Sequence, residues 1–323
     1  MNILGIVTKS HDTGIALLQN GIPQFVLEEE RFNREKHTLL FPNMALDAAF
    51  GANGKYKFSD VDVITTPWDM ARLRPTLAQG VFGELPSSLN LLWPSAHKTQ
   101  ASAIVNLPMR LKVGLKKKFG WGTKLPQIVQ VGHHESHASV FFISPFEEAT
   151  VLVMDGYGDE TATSAYFGRG NTLTRDFADG FFDSLGMLYS LVTEHLGFKV
   201  FEEGTVMALA ALGSPTYVKK FADVIRLLPE GRFTINRDYT SYQTHGFNRP
   251  FKQKFYDLFG PPRKKGEPLT AHHHDIAYAL QHAVEEAVLH VVRGLYSRHK
   301  SKNLVITGGV ALNCVANARI LRD

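Results

Sequence analysis

The stretch VQVGHHESHASVFF gathers three histidines and a glutamate between His133 and His137. His133 and His137 are four residues apart, so on a helix they project from one face. Each neutral imidazole offers one nitrogen, and such a pair can share a divalent ion. His134 and His137, three apart, form a second possible pair. In HESH the second histidine comes one residue too early for the H-E-x-x-H pattern of zinc proteases, which weakens that reading. Two imidazoles seldom suffice for an ion. Asp155, at the end of the apolar run Thr150–Asp155, is the candidate carboxylate. The alternative is a polar helix start packed on a sheet edge.

Two places read as phosphate turns. Asp155-Gly156-Tyr157-Gly158-Asp159 ends a strand with glycines that permit close backbone approach. Gly308-Gly309 sits between a strand and a helix, where backbone amides favour an anion. In both, an ordinary turn is the competing reading. Ser10-His11-Asp12 is a polar loop able to face a site. His272-His273-His274 cannot converge on one ion at a helix start and reads as surface. The single cysteine, Cys314, excludes an internal disulfide and any CxxC site. It lies in the apolar helical pattern VALNCVANARIL and reads as a buried, inert thiol.

These residues need positioning elements. The spacing predicts strands over 2–7 and 13–18. A hairpin follows at Asn20-Gly21, then a third run, 22–27, which Pro23 assigns to an edge. A charge-dense stretch, Glu28 to His37, precedes a helix capped by Asn43. Val61–Thr65 and Ile128–Val131 read as further strands. From Ala149 the arrangement of strand, polar loop, strand, turn and strand returns, about 145 residues on. This predicts an α/β protein of two related lobes with a cleft between them, residues 1–147 and 148–323. Residues 69–120 and 229–268 read as an insertion and an excursion without a clean period. Helical faces fall at Leu188, Leu191, Val192 and Leu196, at Val206–Leu212, and at Val218, Phe221, Ile225 and Leu228. A long helix is expected from Asp275 to about Arg298, a strand over 304–307, and a closing helix over 311–322.

The chain has 323 residues, 44% hydrophobic and 20% charged, with a net charge of +4. These values fit a soluble globular protein with a sizeable core. They suit an anionic ligand better than nucleic acid, because the basic residues form no stripe with interleaved aromatics. The densest basic run, Arg110–Lys118, reads as a solvated face. No run is long enough to span a membrane, and the N-terminus lacks the basic region of a signal peptide, so the expected compartment is cytoplasmic.

Taken in order, SHDTGIALL, EEERFNREKH, HHESHAS, VMDGYGDE, SLGMLYSLVTEHLGFK, VMALAALG and TGGVALNCVANARIL resemble the O-carbamoyltransferases of nodulation factor, cephamycin and tobramycin. The resemblance implies an actin-like ATPase (ASKHA) fold of two ribonuclease-H-like lobes, the second incomplete. It implies that carbamoyl phosphate and ATP give carbamoyl adenylate, and that the carbamoyl group passes to a hydroxyl of a sugar or natural product. By position, His133, His137 and Asp155 match ligands of a divalent metal, usually iron(II), with manganese or zinc as alternatives. Gly156 and Gly158 match the phosphate turn, and Gly308, Gly309 and Asn313 the nucleotide loop. His11 and Asp12 match the acceptor side, and Arg31 and Lys36 the charged lining. His134 and Glu135 are expected to support the ligands. Thr205 and Ala208 stand where the family shows a lysine and a glycine. Family members also continue into a C-terminal activation domain, so this chain is expected not to make carbamoyl adenylate alone. A sugar kinase of the same architecture and a non-catalytic nucleotide-binding module are the competing readings.

Overall fold

The computed structural model of the chain describes residues 1–8, 11–92 and 106–323. The expectations that fall on Ser10 and on 93–105 of the proposed insertion lie outside them. The chain forms two compact units, Met1–Pro75 with Pro94–His133, and Thr76–Trp93 with His134–Asp323.

The first unit is built on a five-stranded sheet of order β3-β2-β1-β4-β5. Its strands are β1 (Asn2–Val7), β2 (Gly14–Gln19), β3 (Ile22–Glu28), β4 (Val63–Thr66) and β5 (Gln127–Gln130). β1, β2 and β3 form an antiparallel meander, and β4 and β5 add in parallel beside β1. The hairpin lies at Asn20-Gly21, whose φ angles of 52° and 80° match the twist of the flanking strands. Pro23 sits on the edge strand at a register shift, where its missing N–H costs no ladder bond. Leu4, Ile6 and Ile64 pack with Leu46 of helix Asn43–Phe50 and with Leu111 and Leu115 of helix Leu107–Phe119. The basic run is thus one amphipathic helix. Its leucines face inward, and Lys116, Lys117 and Lys118 occupy the last turn, where the helix dipole favours cations.

Asn43 is the first residue of its helix rather than the cap. The buried carboxylate of Glu29 caps it instead, accepting from the N–H groups of Met44 at 3.0 Å and Ala45 at 2.8 Å. A carboxylate there satisfies orphan amides and meets the positive end of the helix dipole.

The second unit repeats the wiring. β6 (Glu148–Met154), β7 (Thr161–Arg169) and β8 (Thr172–Gly180) form an antiparallel meander, and β11 (Leu304–Thr307) adds in parallel beside β6. Three antiparallel strands with a parallel fourth beside the first recur in each unit, so the fold is α/β, with mixed sheets and helices. β6 is buried from Ala149 to Met154. Helix Ala271–His299 buries Ile276, Leu280, Val284, Val288, Val291 and Leu295 in the main core. It starts four residues earlier than expected because Thr270 and His273 form a capping box.

Several expectations are corrected. The face Val218, Phe221, Ile225 and Leu228 is not one helix. The helix covers Val218–Val224, and β9 (Ile225–Leu228) then pairs with β10 (Arg232–Ile235). Residues 229–268 are not featureless, because Phe233, Ile235, Phe251, Phe255 and Phe259 join the core. The histidine triplet is half-buried rather than surface. His272 bonds the Phe259 carbonyl at 2.9 Å and the Tyr217 hydroxyl at 2.8 Å. The closing helix runs over Cys314–Arg322, after a 3-10 turn at Gly309–Leu312. It buries only Ala316, and Cys314 is exposed rather than buried, with its Sγ 3.9 Å from Met207 Sδ.

Candidate functional site

Helix His133–Ala138 follows β5 and carries the histidine pair. His133 Nδ1 lies 2.9 Å from the Pro67 carbonyl. That oxygen can only accept, so Nδ1 carries the proton and Nε2 keeps the lone pair. The ring stacks on Trp68 at 4.2 Å. His137 meets the Thr307 hydroxyl through Nδ1 at 3.4 Å and turns Nε2 toward Asp155 Oδ2 at 3.3 Å.

Asp155 follows the last residue of β6. Its Oδ1 accepts from the N–H of Gly156 at 2.8 Å and of Gly309 at 3.1 Å. Two backbone amides therefore fix one carboxylate oxygen and aim the other at His137. Ser184 holds the same turn. Its hydroxyl meets the carbonyls of Asp155 at 3.0 Å and Gly156 at 2.5 Å, and accepts from Met187 N–H as the cap of helix Leu185–His195. Ligating atoms of His133, His137 and Asp155 all lie within 4.8 Å of one another. Two ligands of a tetrahedral ion with bonds of about 2.1 Å stand about 3.4 Å apart, and the His137–Asp155 separation of 3.3 Å agrees with that. The donor set of two imidazoles and a carboxylate, each oriented by a supporting bond, fits iron(II), manganese or zinc.

The glycine turns serve this site differently. Gly308 has φ 90°, and a Cβ there would stand 2.3 Å from the Met154 carbonyl oxygen. The 308–309 turn is thus pressed onto the end of β6, and the Gly309 amide is given to Asp155. Nothing lies within 4 Å of a Cβ on Gly156, whereas a Cβ on Gly158 would meet the His134 ring at 2.6 Å. Asn313 is buried. Its Oδ1 accepts from Gln281 Nε2 and Ala316 N–H, both at 3.0 Å, and its Nδ2 donates to Gln281 Oε1 at 2.9 Å. Its amide anchors the turn. Tyr157, beside Asp155, is half-buried, and burial and the Asp155 charge push its hydroxyl well above the ordinary range.

The remaining expected residues lie in the first unit. Asp12 accepts from His11 Nδ1 at 2.7 Å and meets His37 Nδ1 at 2.9 Å. These two imidazoles hold its carboxyl down at about 2 against partial burial, and the hydrogen bond from His11 is the largest cause. Asp12, Glu30 and His37 also place ligating atoms within 4.8 Å of one another. Arg31 is exposed and held by Glu28 at 2.8 Å and Glu30 at 3.7 Å, and Lys36 is exposed. Sequence reasoning missed His37, Glu30, Thr307, Ser184 and Gln281. For His37 and Glu30 the only local signal was their place in the charge-dense stretch.

Residues 2–323 match the family model described as Carbamoyltransferase N-terminus, and the chain belongs to that family. The expected resemblance is borne out. The chain is 39% identical to the uncharacterized protein sll1178 of Synechocystis, over 100% of this chain and 52% of that protein. It is 30% identical to the nodulation protein NolNO of Sinorhizobium fredii, over 98% of this chain and 43% of that one. The chain thus spans about half the length of the curated relatives it matches. Among solved structures it is similar to component A of the (R)-2-hydroxyglutaryl-CoA dehydratase of Acidaminococcus fermentans, with a TM-score of 0.44, 13% identity and coverage of 100% of this chain and 88% of that one. It is also similar to HypF of T. kodakarensis, with a TM-score of 0.40, 13% identity and coverage of 99% and 44%. Among the described residues no helix is long and apolar enough to cross a membrane.

Proposed function

We propose that the chain is the transfer part of a carbamoyltransferase, passing a carbamoyl group from carbamoyl adenylate to a hydroxyl of a sugar or natural product. Family membership supports carbamoyl transfer. The observation that carries the metal-assisted form is the convergence of His133, His137 and Asp155, each with its second polar atom already engaged. Bound there, iron(II), manganese or zinc supplies Lewis-acid polarisation of the carbamoyl carbonyl or a hold on the adenylate phosphate. The acceptor oxygen attacks the carbamoyl carbon, the bond from that carbon to the phosphate oxygen breaks, and AMP leaves. By its match to the family's acceptor side, His11 is the base: Asp12 accepts a hydrogen bond from its Nδ1–H, which leaves Nε2 as the basic nitrogen able to take a hydroxyl proton. The low carboxyl of Asp12 keeps it anionic through the working pH range and steadies the imidazolium that forms.

Gly156, with open space above it, is the glycine at which the phosphate approaches, while the Gly309 amide fixes the carboxylate of Asp155, Gly308 packs its turn on Met154 and Asn313 holds the start of the helix that follows. Arg31 lends positive charge only in competition with Glu28 and Glu30. Carbamoyl phosphate and ATP are the source of the adenylate in this reading, and the protein works in the cytoplasm. The test is elemental analysis of anaerobically purified protein beside the His133→Ala/His137→Ala variant. Near-stoichiometric iron, manganese or zinc lost in the folded variant supports the reading, and equal metal content in both refutes it.

A further inference from the structure

We propose that His134, between the two ligand histidines, is a positioning residue whose buried ring sets their helix against the Asp155 turn, and that Gly158 is glycine to make room for that ring. The inference rests on the metal reading above.

His134 is 1% exposed. Its Nδ1 meets Ser164 Oγ at 2.7 Å. Ser164 is itself fully buried in β7 and pairs with Val153 of β6, two residues before Asp155. The other edge of the ring fills the space over the acidic turn. A Cβ on Gly158 would stand 2.6 Å from His134 Cδ2, and 3.1 Å from both its Nε2 and the Thr161 carbonyl oxygen, so the ring is the tightest contact. Gly158 is not among the positive-φ glycines, so its backbone does not demand glycine. Space does. The close approach that a phosphate turn reserves for its ligand is made here by an imidazole. The turn cannot give way easily, because Gly158 N–H is bonded to the Thr161 carbonyl at 2.8 Å and Asp155 N–H to that of Ala162 at 3.0 Å.

The consequence falls on His137. Helix His133–Ala138 has six residues, too few to hold its own place in water. Packing of His134 supplies that place. If the ring is pushed outward, His137 moves with it relative to Asp155. Metal–ligand distances tolerate only about 0.2 Å, so an ångström-scale push is read as lost affinity.

The test is a Co(II) titration followed by its visible bands, with melting of the metal-free protein, in the parent and three variants. Gly158→Ala pushes on the ring. His134→Asn places an amide where Nδ1 meets Ser164 but lacks Cδ2 and Nε2. The third variant combines the two. Gly158→Ala is expected to weaken Co(II) binding by about 10- to 100-fold with altered bands. His134→Asn loses the packing ring and is expected to weaken binding by about 10-fold, and adding Gly158→Ala to it should cost far less than the same substitution costs in the parent, leaving only the contact with the Thr161 carbonyl. Parent-like binding by Gly158→Ala overturns the inference, as do equal losses in both backgrounds. If Gly158→Ala alone does not fold, the double variant should, and its failure to fold overturns the inference too. His137→Ala separates the two proposals. A parent that binds no Co(II), or binds it as well after His137→Ala, brings down the metal reading and this inference together. A parent whose binding needs His137 but shows additive losses brings down this inference alone.

Discussion

Replacing Asp155 by asparagine separates ligation from folding, because the structure gives the two carboxylate oxygens different partners. Oδ1 receives the N–H groups of Gly156 and Gly309, and Oδ2 faces His137 Nε2. In Asp155→Asn the amide oxygen must occupy the Oδ1 position, since an NH2 group cannot accept from two N–H donors. The NH2 group is then aimed at His137, where it donates to Nε2 and opposes any cation. The turn keeps both amide bonds, and the metal-free protein should melt within a few degrees of the parent. Loss of a directly bound anionic ligand exceeds the 10- to 100-fold typical of supporting residues, so affinity should fall by at least about 100-fold, or about 2.7 kcal/mol. Competition between Zn(II) and a chromophoric chelator measures this. If Asp155→Asn binds Zn(II) as the parent does, Asp155 is not a ligand. If it loses Zn(II) only together with its fold, the proposed division of labour between the two oxygens is wrong.

Gly308→Ala, at φ 90° and facing the Met154 carbonyl at 2.3 Å, should cost about 2–3 kcal/mol in urea denaturation, while Gly156→Ala, with open space, should stay within about 0.5 kcal/mol. Glu29→Ala strips the cap from helix Asn43–Phe50 and should cost about 2 kcal/mol, read in the same assay; an unchanged midpoint would show that water caps the helix equally well. Burial holds the His195 imidazole down at about 4 from 6.5, among Phe251, Phe255 and Tyr256. Below pH 6.5 the unfolded chain therefore takes up a proton that the folded protein refuses, and up to about 3 kcal/mol is lost between pH 6.5 and 4. His195→Gln should flatten that part of the stability profile, and an unchanged slope would assign the acid sensitivity to other groups.

What could be read from the sequence was what is local. The hairpin at Asn20-Gly21, the edge position of Pro23 and the strand ending at Asp155 follow from short patterns, and the histidines four apart needed only a helix to share a face. Contacts between distant segments could not be read. Glu29 caps a helix that begins fourteen residues later, His37 reaches Asp12 across twenty-five, and Thr307 meets His137 across 170. Val218, Phe221, Ile225 and Leu228 fit a helical period by coincidence, and pairing of Ile225 with Ile235 turned the last two into strand. Asn313 and Gly158 match positions associated with nucleotide and phosphate, yet the structure engages one with Gln281 and packs the other against His134. Spacing alone does not distinguish a glycine that admits a phosphate from one that admits a ring.

We propose carbamoyl transfer at a metal held by His133, His137 and Asp155. Its most direct test supplies carbamoyl-labelled carbamoyl adenylate and a panel of sugar hydroxyls to metal-loaded protein, and measures label in the acceptor with AMP release. A labelled carbamate ester with stoichiometric AMP, lost on chelation and in His137→Ala, is the expected result. Label transfer that persists without metal would contradict the metal's part in it. Phosphorylation of the acceptor from ATP, with no carbamate formed, would contradict the claim altogether and make the protein a kinase.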